Sequence, residues 1–144
     1  MKMNGDRIKE LTLELTKIKS VVGTTDENHV TEAIYEILKS LPYFKTNPEH
    51  LFYIENENDK LGRKSLVAMM NGQKEESQDT VILLGHIDTV GISDYGTLEH
   101  LATDPERLME ALKSETLPEN ALRDLQSGDY LFGRGILDMK SRES

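Results

Sequence analysis

Apolar residues recur three and four positions apart at the start of the chain. Ile8, Leu11, Leu15, Ile18 and Val22 fall on one stripe, which predicts a helix from about residue 5 to 22. Gly23 is its expected stop, because glycine enters the left-handed conformation that ends many helices. Thr24 and Glu27 then match the Ser/Thr-x-x-Glu capping box. Val30, Ala33, Ile34, Ile37, Leu38 and Leu41 mark the inward face of a second helix, which Pro42 terminates. Beyond it the character changes. Leu51-Phe52-Tyr53-Ile54 and Leu66-Val67-Ala68-Met69-Met70 read as strands, the second closed by the turn pair Asn71-Gly72. Val81-Ile82-Leu83-Leu84 is apolar at every position, as in a strand buried on both faces at the centre of an α/β sheet. Short helices are predicted from Asp104-Pro105 and from Pro118, the latter stopped by Gly128, before a further strand-like segment at Tyr130-Leu131-Phe132. The order is that of a mixed α/β sandwich: two leading helices, then a mixed central sheet with flanking helices.

Composition narrows the chemistry. At 144 residues the chain has room for one domain, and its apolar share lies somewhat below the globular average of about 45–50%. The net charge of −9 argues against nucleic acid, since a phosphate backbone needs concentrated Lys and Arg. No unbroken apolar run exceeds the five residues Leu66–Met70, far short of the ~20 residues of a membrane span. Met1 to Arg7 turns charged where a signal peptide would be apolar, so a soluble, cytoplasmic protein is expected. With no cysteine there is no disulfide, no thiolate nucleophile and no Cys-based zinc site. Any metal must therefore be held by His and carboxylates.

Polar residues just past the end of a buried strand are where α/β folds place function, and Gly85-His86-Ile87-Asp88-Thr89-Val90 follows Leu84 directly. In continued strand geometry His86 and Asp88, two apart, share a side. One ring nitrogen can then bind a metal while the carboxylate accepts the N–H of the other. Taken alone, the pair reads first as a partly buried His86 satisfied by a neighbour. Asp138 follows the Gly133-Arg134-Gly135 turn and is suited to bridging two cations; its competing role is capping a helix that begins at Met139. Glu75-Glu76 reads as a solvated hairpin tip, and His29, His50 and His100 read as non-ligands.

Together, Gly85-His86-Ile87-Asp88-Thr89-Val90 and Gly133-Arg134-Gly135-Ile136-Leu137-Asp138-Met139-Lys140 resemble two motifs of the di-zinc peptidase and amidohydrolase family. That family contains aminoacylases, acetylornithine deacetylase, succinyl-diaminopimelate desuccinylase and glutamate carboxypeptidases. The Asp104-Pro-Glu-Arg and Leu117-Pro-Glu-Asn stretches between the motifs are similar to its arginine-utilisation branch. The resemblance implies that His86 ligates zinc, that Asp88 is the catalytic-site carboxylate orienting it, and that Asp138 bridges two metals, with cobalt or manganese as alternatives to zinc. It implies hydrolysis of a peptide or N-acyl amino acid, and a fold that is the N-terminal part of a zinc-peptidase-like catalytic domain. Residues 1–144 would form a single, incomplete domain without the lid or dimerisation domain through which the family can form homodimers. The family's paired glutamates, further acidic ligand and final histidine do not occur after Lys140, so a truncated chain without activity of its own is expected. The alternative is a non-catalytic α/β module that keeps the scaffold for binding or assembly.

Overall fold

A computed structural model describes residues 5–73 and 79–127, together with the backbone of 130–132 and 136–138. The first helix, α1, spans Gly5–Thr16, shorter than its apolar stripe predicts. The Thr12 and Thr16 hydroxyls bond back to the carbonyls of Ile8 and Thr12, and the last turn tightens as Ile18 N–H bonds to Leu15 C=O at 3.1 Å. Residues 20–22 then leave the helical path because their backbone pairs with Thr89 instead. Gly23 does adopt a left-handed φ of 76°, but well beyond the end of the helix.

The second helix, α2, runs Glu27–Lys39. The capping box in front of it is displaced by one residue: Glu27 Oε1 accepts from Gly23 N–H at 2.7 Å, and Thr24 Oγ1 accepts from Asp26 N–H at 3.3 Å. Pro42 opens a further short helix, α3 (Pro42–Thr46), where its missing N–H costs nothing at the first helical position. After a single 3₁₀ turn, β1 (Leu51–Glu55) pairs antiparallel with β2 (Lys64–Ala68), Leu51 opposite Ala68 and Glu55 opposite Lys64. Along β1 alternate residues turn to opposite faces. Leu51 is buried and Tyr53 stacks on Tyr35 of α2 with ring centroids 5.0 Å apart, whereas Phe52 and Ile54 are exposed. Val30 of α2 and Phe44 of α3 are buried as well.

The connection between the two strands is tied to the start of α2. Arg63 bonds to Asp59 within the connection and to Glu27 Oε1 at 3.1 Å, while Leu61 N–H donates to Asp59 Oδ1 at 3.0 Å. The Arg63 hydrogen bond, joined by the Leu61 amide, holds the Asp59 carboxyl below the ordinary carboxylate range.

A second apolar cluster lies toward the C-terminal end. A 3₁₀ segment, Ser93–Leu101, breaks direction at Gly96 (φ 53°) and leads into α4 (Pro105–Leu112) and α5 (Glu119–Ser127). Asp104 caps α4 by accepting the Arg107 N–H at 3.2 Å, with Pro105 at the first position. Leu101, Leu108 and Leu125 are buried together, with Leu108 wholly inaccessible. The hairpin β3 (Tyr130–Phe132) with β4 (Ile136–Asp138) follows, antiparallel, Leu131 opposite Leu137.

The expected mixed central sheet is not formed among the described residues, whose strands make two separate antiparallel pairs. Val81–Leu84, read from the sequence as a doubly buried strand, pairs with no strand among the described residues and is 74–94% exposed. The physical reason is that a hairpin such as β1–β2 closes with its own chain, whereas an interior strand needs neighbours on both edges and layers on both faces. No helix among the described residues is long and apolar enough to cross a membrane.

Two stability measurements check this architecture. In chemical denaturation, Leu108→Ala should cost about 2–5 kcal/mol, whereas Leu83→Lys, which would be ruinous in a central strand, should stay within about 0.5 kcal/mol. The depressed folded-state pKa of Asp59 stabilises the fold above the unfolded value of about 3.9, and that contribution is lost as pH falls through the lower folded value. Asp59→Asn should therefore destabilise at neutral pH and flatten the acid limb of a stability–pH curve; an unchanged acid limb would count against the Asp59–Arg63 tie.

Candidate metal-ligating site

The segment Gly85–Val90 belongs to neither hairpin, and it is held by the stretch that follows α1. Thr89 N–H donates to Ser20 C=O at 2.9 Å and Val22 N–H donates to Thr89 C=O at 2.8 Å, a parallel bridge between Val21 and Thr89. The Ser20 hydroxyl adds a third bond, to the Ile87 carbonyl at 3.0 Å, and Ser20 is completely buried. Ser20 carries no motif that marks it in the sequence, and the apolar stripe runs past it to Val22, so nothing local signalled its role.

Held in this way, His86 and Asp88 come together. His86 Nδ1 lies 3.2 Å from Asp88 Oδ1, although the segment is not a regular strand. Read as a donor bond, the contact places the imidazole proton on Nδ1 and leaves Nε2 as the ring nitrogen with a lone pair. The His86 side chain is 87% exposed and that of Asp88 33%. The pair sits on an open cleft of about 420 Å³, walled by Ile34 and Leu38 of α2, Leu66 of β2, and Leu84. Polar groups line it on two sides, His86 and Asp88 on one and Lys64 and Ser65 of β2 on the other, with apolar side chains between them.

The remaining candidates separate clearly. Asp138 lies in β4 with its backbone opposite Tyr130, while its side chain, the Gly133–Gly135 turn and the helix start considered at Met139 lie outside the described residues. Glu75 and Glu76 also lie outside them. His50 has a structural role: the Tyr43 hydroxyl is 2.8 Å from its Nδ1 and also accepts the Asn71 N–H at 2.9 Å. His29 is exposed on α2, 4.0 Å from Asp26, and His100 Nδ1 meets the Thr97 carbonyl at 3.1 Å. Among the described residues no three His, Asp or Glu side chains converge to hold a metal. The donors that are present suit a divalent metal in kind, an imidazole oriented by a carboxylate, but they do not close a coordination sphere.

The class of site is thus an exposed, carboxylate-oriented histidine on an α/β scaffold. No family model matches the chain, and no solved structure matches it. Two curated proteins of Bacillus subtilis (strain 168) are similar to it: Protein RocB, 40% identical over 137 residues, and the uncharacterized protein YqjN, 38% identical over 138 residues. The alignments cover 95% and 94% of this chain but 24% of each relative, so the chain spans about a quarter of the length of the curated relatives it matches.

The histidine environments can be ranked by chemical modification. A histidine-selective acylating reagent should modify His86 and His29 well before the hydrogen-bonded His50, whose side chain is 17% exposed, as read by peptide mass mapping. Early modification of His50 would contradict the Tyr43–His50–Asn71 network.

Proposed function

We propose that this chain carries part of the metal centre of a hydrolase acting on amide or peptide bonds, of the peptidase or N-acyl-amino-acid deacylase type and belonging to its arginine-utilisation branch. The single observation that supports this reading most is the His86–Asp88 contact at 3.2 Å on the edge of an open cleft. A carboxylate on one imidazole nitrogen fixes the tautomer and raises the basicity of the other, which is how metal-ligating histidines are commonly prepared. Similarity to RocB over nearly the whole chain supports the arginine-utilisation part of this reading.

On this reading His86 Nε2 is a metal ligand, Asp88 is the carboxylate that orients it, and Asp138 supplies the carboxylate bridging two metals. The general base and the remaining ligands of such a centre are not among the residues this reading assigns in the chain. When bound, such a metal, zinc first and cobalt or manganese as alternatives, supplies Lewis acidity that polarises the scissile carbonyl and acidifies water. The substrate is a peptide or N-acyl amino acid. The cleft floor of Ile34, Leu38 and Leu66 is apolar, and the protein residues facing it would exclude water from one side of a bound group.

Cobalt tests the assignment directly. Titration of the 144-residue chain with Co²⁺ should broaden the His86 ring resonances before those of His29, His50 and His100, and His86→Ala should abolish that preferential broadening. Binding should be weak, because a catalytic zinc ordinarily has three protein ligands, and amide hydrolysis by this chain alone should be absent. Uniform broadening of all four histidines would overturn the assignment.

A further inference from the structure

We infer that Ser20 is a positioning residue for the His86–Asp88 pair, acting through the peptide unit that joins Ile87 to Asp88. Ser20 lies beyond α1, 67 residues away in sequence from the carbonyl its hydroxyl meets at 3.0 Å. A peptide unit is planar, so the direction of the Ile87 carbonyl also sets the plane containing the Asp88 nitrogen and Cα. The main-chain bonds of Thr89 to Ser20 and Val22, at 2.9 and 2.8 Å, pin the next residue. Asp88 is thereby held on both sides, by a side-chain bond before it and a backbone bridge after it, and its carboxylate meets His86 Nδ1 at 3.2 Å.

The two ends of this arrangement differ sharply in burial. Ser20 is 0% exposed, whereas His86 has an 87% exposed side chain and little packing around it. An exposed imidazole has no wall to fix its ring, so its orientation depends on Asp88, and that of Asp88 depends on the backbone that Ser20 holds. A buried hydroxyl is costly to place without a partner, and here it meets the Ile87 carbonyl, in the peptide unit that leads into Asp88. The functional weight of this inference rests on the metal-ligand reading of His86, while the geometric linkage can be measured without metal.

The test is the tautomer of His86 in the ¹⁵N-labelled 144-residue chain, read by long-range ¹H–¹⁵N correlation at about pH 8.5, well above the ordinary imidazole pKa of about 6.5. The unaltered chain should hold the proton mainly on Nδ1, facing Asp88; a majority on Nε2 overturns the inference without any variant. Ser20→Ala should lower the Nδ1–H to Nε2–H ratio roughly three- to tenfold, the scale of losing one modest hydrogen bond, and Ser20→Thr, which keeps the hydroxyl, should restore most of it. Thr31→Ala is the control. Thr31 is also buried, but its hydroxyl bonds within α2 to the Glu27 carbonyl at 3.0 Å, so the ratio should not move. If Ser20→Ala leaves the ratio unchanged, or Thr31→Ala changes it equally, Ser20 has no specific positioning role. Should Ser20→Ala not fold, Ser20→Cys, with a weaker donor of similar size, takes its place, and its ratio should lie between those expected for alanine and serine. A failed Co²⁺ response at His86 would remove the metal-ligand reading and leave the tautomer result standing, so the two failures are distinguishable.

Discussion

The parallel bridge between residues 20–22 and 87–89 is the constraint on which the candidate site depends. Gly85–Val90 is irregular, carries a largely exposed histidine, and has neither a helix nor a hairpin of its own to shape it. Three hydrogen bonds of 2.8–3.0 Å, two from backbone amides and one from a buried hydroxyl, replace that missing regularity. The same bridge explains why α1 ends at Thr16 although its apolar stripe continues to Val22. Residues 20–22 cannot both continue a helix and use the Ser20 C=O and Val22 N–H to accept from and donate to Thr89.

Around that bridge the described residues form two apolar groupings with different origins. Val30 of α2, Phe44 of α3 and Leu51 of β1 are each buried, and the Tyr35–Tyr53 stack joins α2 to the hairpin. Leu101, Leu108 and Leu125 bury one another between the 3₁₀ segment and the two short helices that follow. The Arg63–Asp59–Glu27 contacts then fasten the β1–β2 connection to the first turn of α2. Since α2 supplies Ile34 and Leu38 to the cleft, this polar tie contributes to the wall facing His86.

Val81–Leu84 is the feature these groupings leave unaccommodated. Four consecutive apolar side chains in water are unfavourable, and each would contribute on the order of 1.5–3 kcal/mol if fully covered. Their position immediately before Gly85 puts that exposed run in continuity with the site. Coverage of Val81–Leu84 would also reduce the exposure of the neighbouring backbone and strengthen electrostatic contacts made by His86 and Asp88.

Local signals in the sequence were sufficient wherever an element is stabilised by its own near neighbours. The 3.6-residue period of Val30–Leu38, the β-rich run at Leu51–Ile54, and the Asp104-Pro105 helix start all appear as read, because amphipathic periodicity, strand alternation and N-capping act over a few residues. His86 and Asp88 do meet, two residues apart as read, but in an irregular segment held by Ser20 and Val22 rather than in a continued strand. Only the tertiary structure decided the end of α1, the role of Ser20 and the exposure of Val81–Leu84, since each depends on which distant backbone groups and layers are present. A hydrogen bond across 67 residues leaves no periodicity behind, and an apolar run states only that burial would be favourable, while the covering partners decide whether it occurs.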